Sequence, residues 1–122
     1  MSCILVIDDE VSVRRMLRQM LERAGYQVIE APNGEAGLKL YHEHPTDLII
    51  TDILMPDKDG IETILALRKS APEAKILAIS GGGRMNKVDL LSISQSFGAI
   101  RTLAKPFERE ELVTMVQEVL KQ

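Results

Sequence analysis

Five polar side chains stand where short apolar runs stop. Asp8 and Asp9 follow Ile4-Leu5-Val6-Ile7, Asp52 follows Leu48-Ile49-Ile50-Thr51, Ser80 closes the run from Lys75 to Ile79, and Lys105 follows Ala99 to Ala104. A carboxylate at the end of a buried run is a rigidly mounted oxygen nucleophile or metal ligand. A hydroxyl donates a hydrogen bond, and an ammonium supplies a point charge suited to phosphate. A metal, an ammonium and a hydroxyl around one carboxylate are what phosphoryl transfer requires. They neutralise charge on the transferring group's oxygens while the carboxylate attacks and becomes an acyl phosphate. Each residue alone has a blander reading. Asp52 is then a solvated strand end, Asp8-Asp9-Glu10 a helix cap with first-turn acids, Ser80 a turn residue and Lys105 a surface lysine. Four of five run ends carrying such groups favours a site.

The elements that must position these groups are written in the periodicity. Residues 3–7 read as a strand. Val13, Met16, Leu17, Met20, Leu21 and Ala24 then recur at helical spacing, with Arg14, Arg15, Arg18 and Glu22 on a solvated face between them, and Gly25 stops the helix at C′. Residues 26–30 form a second strand. Asn33, in the turn Pro32-Asn33-Gly34, caps a helix over 34–43 with Ala36, Leu40 and Tyr41 inward. Gly37 inside it costs about 1 kcal/mol against Ala. Residues 48–51 are the third strand. Asp57-Lys58-Asp59-Gly60 turns into a helix with Ile61, Ile64, Leu65 and Arg68 one turn apart, which Ala71-Pro72-Glu73 breaks. Residues 75–80 are the fourth strand, a helix is expected over 85–96, and residues 99–104 are the fifth strand. A last helix over 108–120 carries Leu112, Met115, Val116, Val119 and Leu120 on its apolar face. Met16, Met20 and Met115 fall on core stripes, and Cys3 is expected as a small core residue. His42 and His44 are expected at the surface.

Five βα repeats predict an α/β fold, (βα)5, with a doubly wound five-stranded parallel sheet, for which the flavodoxin-like order 2-1-3-4-5 is expected. Ligands of such sheets bind outside the carboxyl ends of the strands. Strands one and three are then neighbours about 4.8 Å apart, which crowds Asp8, Asp9 and Asp52. Two unit charges about 4 Å apart repel by roughly 4 kcal/mol at an effective dielectric near 20, so the three carboxylates require a cation. Oxygen ligands with room for water favour Mg²⁺, or Mn²⁺, over zinc, and no His or Cys lies at these strand ends.

The 122 residues suit one domain with one core, and no output domain is expected in this chain. The net charge of −3, from 15 basic and 18 acidic residues, leaves no electrostatic footprint for nucleic acid. No apolar run is long enough to span a membrane, and the N-terminus lacks a basic leader. A single cysteine fits a reducing, cytoplasmic setting.

In this order and spacing, Ile4-Leu5-Val6-Ile7-Asp8-Asp9-Glu10, Thr51-Asp52-Ile53-Leu54-Met55-Pro56, Asp59-Gly60 and Lys105-Pro106-Phe107 resemble the response-regulator receiver domains of two-component signalling, chemotaxis-regulator-like single domains among them. The resemblance covers the whole chain. It implies that Asp52 accepts a phosphoryl group from a histidine on a sensor kinase or phosphotransfer protein. It further implies that Asp9, Asp52 and the backbone carbonyl of Leu54 bind Mg²⁺, that Asp8 acts largely through water, and that Ser80 and Lys105 hold phosphate oxygens. The Lys105–Pro106 bond is usually cis in such domains. The implied role is a switch that changes its binding to a downstream effector protein, catalysing only its own phosphorylation and dephosphorylation.

The chain departs from that pattern in three places. Thr102 stands where an aromatic residue usually turns inward upon phosphorylation, Gly81-Gly82-Gly83 follows Ser80, and Lys58 replaces a common Met. These leave the acceptor chemistry intact and predict a readout through the glycine loop. Two rival classes are a Mg²⁺-dependent phosphohydrolase and a receiver-like binding module that is never phosphorylated. The first needs a general acid, often an Asp two residues after the nucleophile, where this chain has Leu54. The intact acceptor set weighs against the second.

Overall fold

Odd and even positions of each strand face different cores, and this alternation builds the molecule. The computed structural model describes residues 2–52, 59–80, 101–104 and 107–121, with the backbone alone described at 59–62, 80, 102 and 104. Its strands are β1 (Cys3–Ile7), β2 (Gln27–Ala31), β3 (Leu48–Asp52), β4 (Ile76–Ser80) and β5 (Arg101–Ala104). The described helices are α1 (Val11–Arg23), α2 (Gly34–Glu43), α3 (Asp59–Ser70) and α4 (Arg109–Leu120). The sheet has the order β2-β1-β3-β4-β5, and every neighbouring pair is parallel. The helix expected over 85–96 and the start of the fifth strand lie outside the described residues.

Leu5, Ile7, Ile49, Ile76 and Ala78 point to one face, where they pack with Tyr41, Ile64, Leu67 and Ala71. Ile4, Val6, Leu48, Ile50, Leu77 and Ile79 point to the other, against Leu17, Leu21, Leu112, Val116 and Val119. Helices α2 and α3 therefore cover one side of the sheet, and α1 and α4 the other. All five residues of β3 are buried, as a central parallel strand covered on both faces requires.

Local signals set the boundaries. Gly25 has φ of 97°, and its N–H reaches Glu22 O at 3.0 Å while Tyr26 N–H reaches Leu21 O at 3.1 Å. This is a Schellman stop, which favours glycine at C′. The Asn33 side chain accepts from Ala36 N–H at 2.8 Å, as expected of the cap of α2. At the start of α4, the Glu111 carboxylate accepts from Glu108 N–H at 3.2 Å, part of a capping box.

Some packing expectations change. Cys3 is half-buried at the strand's entry rather than in the core, which begins at Ile4. Met16 is 39% exposed, because Leu17 and Leu21 centre the buried stripe of α1 and leave Met16 at its edge. Among the described side chains of α3 the buried ones are Thr63, Ile64 and Leu67, while Leu65 is 45% exposed; Ile61 lies outside them. Gly37 is buried, and a side chain there would meet Ile7, with Cγ1 only 2.8 Å from the Cβ position. Its cost in helix propensity accompanies a close approach of α2 to β1.

Candidate functional site

The strand register brings two carboxylates to one level. Ile7 pairs with Thr51, so Asp8 and Asp52 are the next residues of adjacent parallel strands. Asp8 continues the series Ile4, Val6, and Asp52 the series Leu48, Ile50, so both belong to the face covered by α1 and α4. Both are buried, at 2% and 6% exposure. Charged carboxylates are rarely that buried unless opposite charge or hydrogen bonds compensate them. Asp9 lies in the bend beyond Asp8 and is exposed.

On the other side of Asp52, β4 pairs Asp52 with Ile79 and ends one residue later at Ser80. Ser80 in turn pairs with Ala104, the residue before Lys105. The backbone therefore carries Asp8, Asp52 and Ser80 to the same carboxyl edge, in the order expected from the sequence. Leu54, Lys105, the glycines at 81–83 and Lys58 lie outside the described residues, and Thr102 is described by its place in β5 alone.

The turn after β1 is built differently from a helix cap. Glu10 is the N-cap of α1, yet its side chain makes no capping hydrogen bond. Instead the Asp8 carboxylate accepts from Glu10 N–H at 2.9 Å, closing an Asx-type turn. The Asp8 N–H reaches Ala31 O of β2 at 3.2 Å, and its carbonyl accepts from Arg14 Nη1 at 2.6 Å. The Arg14 Nε donates to Glu30 at 3.3 Å, and Arg18 Nη1 donates to the other Glu30 oxygen at 2.7 Å. Periodicity assigns all three arginines to a solvated face. Arg15 is exposed, but the Arg14 side chain is only 14% exposed. What could have singled it out is Glu30, an acid at the carboxyl end of β2 in reach of α1.

The donor atoms at this edge are oxygens. His42 and His44 are exposed at the end of α2, and Cys3 is at the opposite end of β1. Among the described residues no group of three His, Cys, Asp or Glu side chains could hold a metal ion. The described part of the edge thus offers a buried carboxylate pair. That suits a hard cation such as Mg²⁺, which is commonly held by one or two carboxylates and keeps several waters.

Comparison with known proteins gives the same reading of the fold. The response regulator receiver domain family matches residues 4–117. The chain is 35% identical to the response regulator receiver protein CpdR of Brucella abortus (strain 2308), over 98% of this chain and 98% of that protein. It is 34% identical to the transcriptional regulatory protein CpxR of Escherichia coli (strain K12), over 99% of this chain but 50% of the relative. It thus spans about half the length of several curated relatives. The structure of the Vibrio cholerae chemotaxis protein CheY4 matches with a TM-score of 0.88 and 30% identity, covering 98% of each chain. With the sheet order and the paired carboxylates at its edge established, the family match over residues 4–117 shows that the chain belongs to the response regulator receiver domain family of two-component signalling.

Proposed function

We propose that Asp52 is the phosphoacceptor of a two-component or phosphorelay switch, taking its phosphoryl group from a phosphohistidine. The observation that carries this reading is the buried pair Asp8 and Asp52, level with one another at the carboxyl edge of the sheet. A carboxylate oxygen of Asp52 attacks phosphorus, the new O–P bond forms as the N–P bond breaks, and the electron pair of that bond stays on the departing imidazole. Water later attacks the acyl phosphate, releasing inorganic phosphate and restoring the carboxylate. Burial on β3 holds the nucleophile on a rigid element, which preserves the orientation that in-line attack needs.

Asp9, Asp52 and the Leu54 carbonyl are the proposed ligands of Mg²⁺, or of Mn²⁺, with Asp8 acting largely through water. The ion supplies charge neutralisation for the phosphoryl oxygens. Ser80 would donate its hydroxyl to one of those oxygens, and Lys105 would supply an ammonium charge to another. The chain modifies only itself and turns over no external substrate. Its partners are a sensor histidine kinase or a histidine phosphotransfer protein, then an effector protein whose affinity changes, in the cytoplasm. Among the described residues no helix is long and apolar enough to cross a membrane.

Phosphotransfer from a labelled phosphohistidine protein tests the proposal. Label should reach the chain only with Mg²⁺ and should be absent from Asp52→Asn. Label persisting in that variant moves the acceptor elsewhere. Steady release of phosphate from small phosphate esters would instead favour a phosphohydrolase.

A further inference from the structure

We propose that Arg14 is a positioning residue for the cation site, acting through the backbone carbonyl of Asp8; this rests on the reading of that edge as a Mg²⁺-dependent acceptor site. Three of the described contacts hold the Asp8 unit. Its N–H is bound by Ala31 O at 3.2 Å, its carboxylate by Glu10 N–H at 2.9 Å, and its carbonyl by Arg14 Nη1 at 2.6 Å. The first two come from the backbone. The third comes from a side chain, and it acts on the peptide group that joins Asp8 to Asp9.

Glu30 sets the direction of that guanidinium. It receives Arg14 Nε at 3.3 Å on one oxygen and Arg18 Nη1 at 2.7 Å on the other. Side-chain exposures of 14% for Arg14 and 21% for Glu30 keep this pair largely out of water, whereas Arg18 is 43% exposed. Arg14 therefore links three elements. It sits on α1, is braced by β2, and grips the turn that leaves β1. The planar guanidinium makes both bonds at once, which a lysine ammonium cannot reproduce with the same geometry. The peptide plane between Asp8 and Asp9 sets where Asp9 points, so fixing the Asp8 carbonyl orients an exposed carboxylate whose own side chain no described contact restrains. Residues that orient metal ligands typically change affinity 10–100-fold when lost.

The test titrates Mg²⁺ into ¹⁵N-labelled protein, follows amide shifts of residues 8–10, and compares Arg14→Ala, Arg14→Lys and Glu30→Gln with Arg18→Ala. Arg18 shares Glu30 but does not touch Asp8, so its variant controls for loss of the ion pair alone. The expected result is a Mg²⁺ dissociation constant raised roughly 10-fold in Arg14→Ala, raised less in Arg14→Lys and Glu30→Gln, and unchanged in Arg18→Ala. Phosphorylation by a small acyl phosphate should need correspondingly more Mg²⁺ for half-maximal rate, with the same rate at saturation. If Arg14→Ala is folded and binds Mg²⁺ like the parent, the positioning role is overturned and the acceptor reading stands. If the parent chain itself shows no Mg²⁺ binding and no phosphorylation, the acceptor reading fails, and the positioning role with it. An equal loss in Arg18→Ala would assign the effect to the ion pair and overturn the claim for the Asp8 carbonyl.

Discussion

Tyr41 shows how burial couples a side chain to pH far from the acidic edge. It is 7% exposed, packed on the α2 and α3 side of the core, with its ring edge-on to His42. Burial raises its pKa above the ordinary 10.0, the Glu73 carboxylate adds to the rise, and Arg68 opposes it. The fold therefore favours the neutral phenol. As pH climbs past the ordinary value, the unfolded chain loses a proton that the folded chain keeps, so stability falls until the folded phenol ionises too. The Cys3 thiol behaves alike from its own ordinary value of 9.0, raised by burial first and by Asp47 second. Urea midpoints measured from pH 8 upward should decline with pH, and Tyr41→Phe should flatten the part of the decline above the ordinary tyrosine value of 10.0. An identical slope in that variant would assign the alkaline loss to other groups.

The approach of α2 to β1 rests on one missing side chain. Ala at position 37 would gain up to about 1 kcal/mol of helix propensity, yet its Cβ would meet the Ile7 side chain, with Cγ1 at 2.8 Å. Overpacking of this kind costs about 1–3 kcal/mol. Gly37→Ala should therefore fail to stabilise the protein and should lower its urea midpoint, and Ile7→Val in the same chain should recover part of the loss. A midpoint raised by Gly37→Ala would show that Ile7 moves aside at no cost. Propensity alone assigns the opposite sign, because it sees the helix and not its neighbour. The same limit explains Met16 and Leu65. Both are apolar at helical spacing, but which edge of the stripe faces the sheet is decided by packing against Leu17, Leu21, Ile64 and Leu67. Strands were easier to read, since alternating faces buried on both sides leave continuous apolar runs with little choice of boundary.

The parallel sheet and its carboxyl edge were readable because they follow from the (βα) rhythm and a few strand ends, whereas the order 2-1-3-4-5 came from the flavodoxin-like pattern, since other doubly wound orders share the same rhythm. Asp8, Asp52 and Ser80 reach one edge as their positions after Ile7, Thr51 and Ile79 imply. The brace of Arg14 and Glu30 was missed because helical periodicity sees only α1, whereas the contact depends on how α1 sits against the end of β2, 16 residues on. The output route expected from Gly81-Gly82-Gly83 lies at residues beyond those described, and Thr102 is described by its backbone alone; hydrogen exchange reaches both. With a phosphate analogue bound, amides of residues 81–90 should change protection if the glycine loop reports the state of Asp52; unchanged exchange there would place the readout elsewhere. Intact mass after incubation with Mg²⁺ and a small acyl phosphate tests Asp52 as the phosphoacceptor. Phosphoacceptor chemistry at Asp52 requires one labile phosphate adduct on the parent chain and none on Asp52→Asn. A parent chain that gains no adduct, or a variant that still gains one, contradicts it.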